Sequence, residues 1–87
     1  MTKENLQNEL LRLHHKFSRN RKSTLNSSMC EMWSTKNPPD VLSCTPQLEA
    51  IEEFVNCNFE EMQAIYFYDM NIKEATEYIW DILQTVK

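Results

Sequence analysis

The sequence predicts an all-α protein, a compact bundle of four to five short helices, from three observations. Its 87 residues include no glycine, which tight β-hairpin turns usually need where φ is positive. Apolar residues recur at helical spacing in several segments. Capping residues or proline stand at most segment starts. The predicted helices span about residues 3–19, 25–35, 46–56, 59–69 and 72–86.

The first helix is predicted from an apolar stripe. Leu6, Leu10, Leu13 and Phe17 recur at i, i+4, i+7 and i+11, which places them on one helical face. Packing of this stripe against a second copy would give a homo-oligomer, although two heptads are too few for a coiled coil by themselves. We therefore expect an amphipathic helix that buries one face.

The second helix, over residues 25–35, is predicted from four large side chains and a cap. Ser28 and Glu31 have the spacing of a capping box, and the segment Asn37-Pro38-Pro39-Asp40 ends the pattern because proline cannot continue a helix. The side chains expected on its apolar face are Leu25, Met29, Met32 and Trp33.

The last three helices have start signals of their own. Thr45 followed by Pro46 predicts an N-cap with proline in the first turn. Capping-box spacing predicts the next two starts, at Asn58 with Glu61 and at Asn71 with Glu74. The apolar side chains expected on the first of these helices are Leu48, Ile51, Phe54 and Val55. Those expected on the last are Ile72, Ala75, Ile79, Ile82, Leu83 and Val86.

The helix over residues 59–69 is apolar on two sides. One arc holds Phe59, Met62, Ile65 and Tyr66, and the other holds Ala64, Phe67 and Tyr68. A helix that is apolar all round is usually buried, so we expect this one to be the central helix. A strand over Ile65–Tyr68 is the alternative, because aromatic residues also suit strands.

The domain organisation is one domain with uneven charge. The net charge is −4. The N-terminal helical part (1–35) is basic over residues 1–22, which hold six Lys/Arg against two acids. A Pro-containing linker (36–45) precedes an acidic three-helix part (46–87) with nine acids against two lysines. We expect the basic first helix to lie across the acidic remainder of the chain.

The composition argues against several classes of function. Without glycine there is no dinucleotide fingerprint, phosphate-binding loop or nucleophile elbow. His14 and His15 lie among basic residues, where surface positions are expected, so we predict no enzymatic activity, no metal site and no cofactor. Three cysteines, Cys30, Cys44 and Cys57, lack the even count typical of secreted frameworks and are predicted to be reduced and mostly buried.

A cytoplasmic location is expected from the hydropathy of the chain. The longest apolar run, residues 64–68, is far shorter than the roughly 20 residues that cross a bilayer. The N-terminus is polar and has no apolar signal core.

Protein–protein interaction is the favoured function, through acidic faces of helices 46–56 and 72–86 with Tyr78 or Trp80 as the anchor. Tyrosine and tryptophan are common anchors of interfaces, and Trp33 is a third candidate; the alternative is that these aromatic rings close the core. A basic partner would suit an inhibitor, an immunity-like protein or an adaptor. The predicted contact residues are Glu49, Glu52, Glu53, Glu74, Glu77, Asp81, Tyr78 and Trp80.

Nucleic-acid binding is the rival hypothesis. It would use a basic stripe at the end of the first helix, formed by Arg12, Lys16, Arg19, Arg21 and Lys22. The stripe is small, and the acidic remainder of the chain repels phosphate, so nucleic acid is the less favoured partner.

Residues 46–87 also resemble the ubiquitin-associated (UBA) domain, a three-helix fold that binds ubiquitin. The resemblance lies in Leu48-x-x-Ile51, Asn58-Phe59, Ala64-Ile65 and Asn71-Ile72-x-x-Ala75-x-x-x-Ile79. The family usually has a Met-Gly-Phe/Tyr loop after its first helix, whereas this chain has Asn56-Cys57-Asn58-Phe59. The resemblance implies ubiquitin contacts at residues 57–59 and at Ile82-Leu83.

Overall fold

The described part of the protein is all-α, as predicted. The computed structural model describes residues 2–18, 22–33, 41–42 and 45–85. Within these residues there is no strand, only an isolated bridge between Ser28 and Asn71. The elements are α1 (Lys3–Ser18), a 3-10 helix (Met29–Trp33), α2 (Pro46–Val55), α3 (Glu61–Tyr68) and α4 (Ile72–Thr85). The strand alternative for residues 65–68 is therefore wrong.

Two of the predicted helix starts are confirmed by their hydrogen bonds. The hydroxyl of Thr45 accepts from Leu48 N at 3.4 Å, and Pro46 occupies the first turn of α2. At the start of α4, Asn71 Oδ1 accepts from Glu74 N at 2.8 Å, and Glu74 Oε1 accepts from Asn71 N at 3.4 Å. Both caps satisfy backbone N–H groups that the first helical turn leaves without partners.

The predicted start of α3 at Asn58 is wrong. Glu60 is the N-cap, and its capping box is formed with Gln63, whose Oε1 accepts from Glu60 N at 2.9 Å. Residues 57–60 lie outside any helix, and the carboxylate of Glu52 in α2 accepts from Phe59 N at 2.7 Å. That bond holds the backbone of Phe59 outside the helix and directs its side chain into the core, where it is buried.

The helix predicted over residues 25–35 is confirmed only in part: residues 29–33 form the 3-10 helix, residues 25–28 are not helical, and residues 34–35 lie outside the described residues. The preceding backbone bonds mainly to the start of α4, besides one turn in which Ser27 N donates to Thr24 O. Ser27 O accepts from Ile72 N and Leu25 O accepts from Lys73 N, both at 3.0 Å, while Met29 N donates to Met70 O at 2.8 Å. These bonds cap α4, and they leave residues 25–28 unable to form helical i to i−4 bonds.

The apolar stripe of α1 is confirmed as a core face. Leu6, Leu10 and Leu13 are buried, and Phe17 is partly buried against the same core. The stripe is thus covered within one molecule. α1 packs against α4, the 3-10 helix and α2, while α3 packs against α4 and the 3-10 helix. The basic first helix therefore lies on the acidic part of the chain, as expected.

The 3-10 helix joins the two halves of the core. Trp33 Nε1 donates to the hydroxyl of Thr45 at 3.0 Å, and Gln47 Nε2 donates to Met32 O at 2.9 Å. Leu42, near the end of the predicted linker, is buried, and its N–H donates to the Glu61 carboxylate at 2.8 Å. Most of that linker, residues 36–40 and 43–44, lies outside the described residues.

The prediction that α3 is the central helix is wrong. Ala64 and Phe67 are buried, but Met62, Ile65 and Tyr66 are 59%, 42% and 55% exposed. α3 is only eight residues long and contacts the rest of the fold along one side. No described element covers the opposite arc, so half of its apolar residues face solvent.

Smaller corrections concern single side chains on the faces of α2 and α4. Phe54 was predicted on the core face of α2 but is exposed, because it lies toward the edge of the buried stripe of Leu48, Ile51 and Val55. On α4, Ile82 is half-buried, and the prediction for Val86 lies outside the described residues.

A left-handed backbone residue ends α2. Asn56 has φ 53° and ψ 46°, and its N–H donates to Glu52 O. Glycine is the usual residue at such a helix end, and asparagine is the common substitute because it tolerates this conformation. Asparagine thus allows the chain to leave α2 without glycine.

The surface position predicted for the histidine pair is wrong for His14, which is fully buried. Its Nε2 donates to Ser28 O at 3.1 Å, and its Nδ1 lies 2.6 Å from Ser23 Oγ. The ring therefore fixes the loop of residues 23–28 to α1. His15 is exposed, as predicted.

Among the described residues, no helix combines the length and the apolar character that crossing a membrane requires.

Candidate functional site

The two aromatic residues predicted as anchors on α4 lie on different sides of that helix. Tyr78 and Trp80 are two positions apart, which is about 200° around a helix. Both are half-buried against the core. Glu77 lies on the same flank as Trp80 and pairs with Lys3 of α1. The Trp80 flank is therefore the side turned toward the start of α1.

The other flank of α4 combines acidic residues with Tyr78. Glu74, Tyr78 and Asp81 are spaced i, i+4 and i+7, so they form one stripe. Both acidic side chains are exposed. Glu74 takes part in the capping box of α4, whereas no described residue makes a hydrogen bond or ion pair with the Asp81 carboxylate. Asp81 is thus available to an external cation.

The acidic residues predicted on α2 have mixed roles. Glu52 is half-buried, and its carboxylate holds the backbone of Phe59, which is a structural task. Glu49 and Glu53 are exposed. Glu53 lines a groove with Arg12 and Lys16 of α1, whereas Glu49 lies beside residues 56–58 at the end of α2. Neither of these two grooves includes a residue of α3 or α4. The structure therefore separates the predicted contact residues into two groups.

We call the row of Glu74, Tyr78 and Asp81 the Tyr78 stripe. Beside it, on α3, lies an apolar surface that was predicted to be buried. The rings of Tyr66 in α3 and Tyr78 in α4 contact each other, with centroids 6.1 Å apart and planes tilted by 53°. Met62 and Ile65 are one turn or less from Tyr66 on the exposed arc. We call these four residues, Met62, Ile65, Tyr66 and Tyr78, the α3 patch.

The charged residues of α3, of its two ends and of the stripe of Glu74, Tyr78 and Asp81 have one sign. Residues 59–72 include no lysine or arginine. Acidic residues occur at both ends of α3 and along the Tyr78 stripe, at Glu60, Glu61, Asp69, Glu74 and Asp81. Large contiguous apolar patches are uncommon on monomeric proteins and usually mark interaction sites. The arrangement is an apolar and aromatic surface with an acidic border.

The predicted basic stripe is partly neutralised. Arg12 forms a two-point ion pair with Glu9, and the second contact, from a terminal guanidinium nitrogen, measures 3.0 Å. The hydrogen bond and the charge of Glu9 raise the pKa of Arg12 above its ordinary value. Lys16 lies with Arg12 along a groove whose opposite wall includes Glu53 of α2. Lys22 is exposed, while Arg19 and Arg21 lie outside the described residues.

The structure describes Trp33 and two of the three cysteines. Of the two roles considered for Trp33, the structure shows the core one: Trp33 is buried, and its ring centroid lies 5.2 Å from that of Tyr68. Cys30 and Cys57 are free and half-buried, so they are less buried than expected, and Cys44 lies outside the described residues. In the part of the chain that the structure describes, no three His, Cys, Asp or Glu side chains are grouped as metal ligands would be.

Comparisons of the chain with protein-family models, with curated proteins and with solved structures found no match. The resemblance to UBA domains therefore stays a prediction. Of the positions that it implies for ubiquitin contact, Phe59 and Leu83 are buried, while Cys57 and Ile82 are half-buried and Asn58 is exposed.

Proposed function

We propose that this protein is a non-enzymatic protein–protein interaction module that engages a basic protein partner through the acidic flank of α4. The observation that carries the proposal is the stripe of Glu74, Tyr78 and Asp81. Within the described residues the Asp81 carboxylate has no partner, and Tyr78 lies half-buried between the two acidic residues. Such a surface suits a stoichiometric inhibitor, an immunity-like protein or an adaptor.

The two kinds of side chain have separate tasks in this proposal. The carboxylates attract an oppositely charged protein and orient it during the encounter, because charge complementarity acts mainly on the association rate and on specificity. The tyrosine then supplies ring area that a partner can bury at a low cost in conformational entropy. The free thiols of Cys30 and Cys57 are consistent with a reducing compartment, so the cytoplasm is the proposed location.

The test begins with capture of partners on the immobilised full-length protein from an extract of the producing cells. Each captured protein is then purified and titrated by calorimetry against wild-type protein, the Glu74→Lys/Asp81→Lys variant and a Lys73→Glu control. We expect the double variant to weaken binding about tenfold at low ionic strength, since two attractive charges become repulsive. Lys73 lies on another flank of α4, so its reversal should not weaken binding.

Glu74 also caps α4, and circular dichroism of the double variant must therefore show native helix content. Asp81→Lys alone provides a second variant without that complication. Equal affinity of every captured protein for the wild type and for both variants would contradict the proposal.

A further inference from the structure

We infer that the α3 patch is the docking site for an amphipathic, positively charged helix of a partner protein. The inference rests on the proposed function and names the partner's form and the surface that it covers. Met62, Ile65 and Tyr66 extend from the Tyr78 stripe onto α3, so the acidic flank of α4 and the apolar arc of α3 form one continuous surface.

Among the described residues, Tyr66 is the member of the apolar arc of α3 whose ring contacts another ring, that of Tyr78 in α4, and other residues anchor the helix. α3 is anchored by Ala64 and Phe67, which are fully buried, and by the contact of the Phe67 ring with Phe59, whose centroids are 5.5 Å apart. Capping by Glu60 and Gln63 fixes its start. Met62 and Ile65 take part neither in this anchoring nor in the cap. Their exposure leaves apolar surface in contact with water, which is unfavourable.

Charge complementarity identifies the occupant as basic. Every charged residue of α3, of its two ends and of the Tyr78 stripe is acidic. A partner surface with lysine and arginine around an apolar centre would pair with this border. The faces of Tyr66 and Tyr78 would also attract an arginine or lysine side chain by cation–π interaction. An acidic partner surface would repel these carboxylates. A neutral apolar surface would bury them without a partner, which is costly.

The backbone of the site favours a helical occupant over an extended one. An extended peptide gains most of its affinity by adding a strand to an exposed sheet edge, and the described residues include no sheet. The interior N–H and C=O groups of α3 and α4 are bonded within their helices, and the first two N–H groups of α4 donate to Ser27 O and Leu25 O. A bound segment must therefore satisfy its own backbone groups, which a helix does.

The dimensions of the patch fix the pattern of the partner helix. α3 has eight residues, or about 12 Å of helix, and its exposed apolar residues are spaced i, i+3 and i+4. A helix lying along the seam between α3 and α4 would present apolar residues at the same spacing over about two turns, with basic residues on either side.

The probe for the test is a synthetic peptide with leucines at i, i+3, i+4 and i+7 and with lysine and arginine at the remaining positions. A peptide of identical composition in scrambled order keeps the charge but has no apolar stripe. Binding to the full-length protein is followed by calorimetry and by amide chemical shifts. The expected result is a complex with the ordered peptide whose shifts concentrate in α3 and around Tyr78, and no such complex with the scrambled one.

The variant Met62→Gln/Ile65→Gln/Tyr66→Gln should weaken binding by roughly 30-fold, because the central apolar side chains of an interface carry most of its affinity. Phe54→Gln is the matched control. Phe54 lies on α2 and is 39% exposed, close to the 42% of Ile65, so it changes an equally accessible apolar residue outside the patch. We expect the control to bind as the wild type does.

The outcomes separate this inference from the proposed function. Binding that survives the triple substitution but is lost in Asp81→Lys would overturn the docking site on α3 and leave the acidic flank as the interface. Binding insensitive to both changes would overturn both. Equal binding of the ordered and scrambled peptides would show attraction by charge alone and would also overturn the inference.

Two further experiments test other occupants of the α3 patch. Concentration-dependent self-association of the wild type in sedimentation, absent in the triple variant, would assign the patch to a second copy of this chain. Shifts of α3 on addition of phosphatidylcholine vesicles would assign it to a lipid surface. Either result would overturn the inference.

Discussion

The neighbouring helices α3 and α4 bury their apolar residues to very different extents. In α4, Ile72, Ala75 and Ile79 are fully buried, and Leu83 nearly so, on one narrow stripe. In α3, two apolar residues are buried and three are exposed. The difference lies in what surrounds each helix. α4 is held by α1 on one side and α3 on the other, whereas α3 is held along a single side.

This contrast shows that the helix alone does not determine whether an apolar residue on it is buried in the core or exposed to solvent. An apolar stripe is buried only where a neighbouring element packs against it. In the described fold such elements pack against α4 but not against the outer arc of α3. An uncovered apolar arc remains available for intermolecular contact. We therefore regard α4 as the centre of the fold and α3 as the element that presents a surface.

The largest effects on stability are expected for one buried core residue on each of the two helices. Phe67→Ala should lower the free energy of unfolding by about 3–5 kcal/mol, and Ile79→Ala by about 2–5 kcal/mol, because each leaves a cavity in the core. Urea unfolding followed by circular dichroism measures both. A loss below about 1 kcal/mol for Phe67→Ala would mean that α3 is not anchored as described.

The buried histidine is expected to have the next largest effect. His14→Ala should cost about 1–3 kcal/mol, since it leaves Ser28 O and the Ser23 hydroxyl without the ring that binds them. Because that loop caps α4, hydrogen exchange at Ile72 and Lys73 should accelerate as well. His15→Ala is the control on the exposed neighbour, and equal losses for the two variants would refute the packed role of His14.

The connection between α2 and α3 should show an intermediate effect. Asn56→Ala is expected to cost about 1–2 kcal/mol, because alanine lacks the short polar side chain that lets asparagine tolerate a left-handed backbone. Asn56→Gly should keep or raise the stability, since glycine adopts this conformation freely. Thermal unfolding compares the pair, and an alanine variant as stable as the glycine variant would contradict the assigned backbone.

The smallest effect on stability is expected at the α3 patch. Met62→Gln and Ile65→Gln should change the free energy of unfolding by no more than about 0.5 kcal/mol, as exposed substitutions usually do. The measurement is the same urea titration. A loss of about 2 kcal/mol or more would show that these side chains are buried, and it would remove the contrast between α3 and α4.

Local signals in the sequence were sufficient for much of the fold. The caps at Thr45 and Asn71 are formed by residues within three positions of their partners, so the sequence alone predicts them. The stripe of α1 is equally local. Local signals could not show that residues 25–28 are non-helical, because the backbone there is bonded to residues more than 40 positions later.

The surface was harder to predict than the fold. Helical spacing shows which residues share a face, and the separation of Tyr78 from Trp80 by two positions already places them on different flanks. Spacing does not show whether another element covers a face, so the outer arc of α3 was assigned to the core. His14 was misplaced for a related reason, since its partners Ser23 and Ser28 come from a loop that folds over α1.

The most direct test of the account is the solvent accessibility of individual methyl groups in the free, full-length protein. A soluble paramagnetic agent broadens the NMR signals of methyl groups that it can approach. We predict strong broadening for Met62 and Ile65 and little for Met32 and Ile79, which are buried in the core. Protection of Met62 and Ile65 equal to that of Met32 would contradict the claim that α3 presents an open apolar surface.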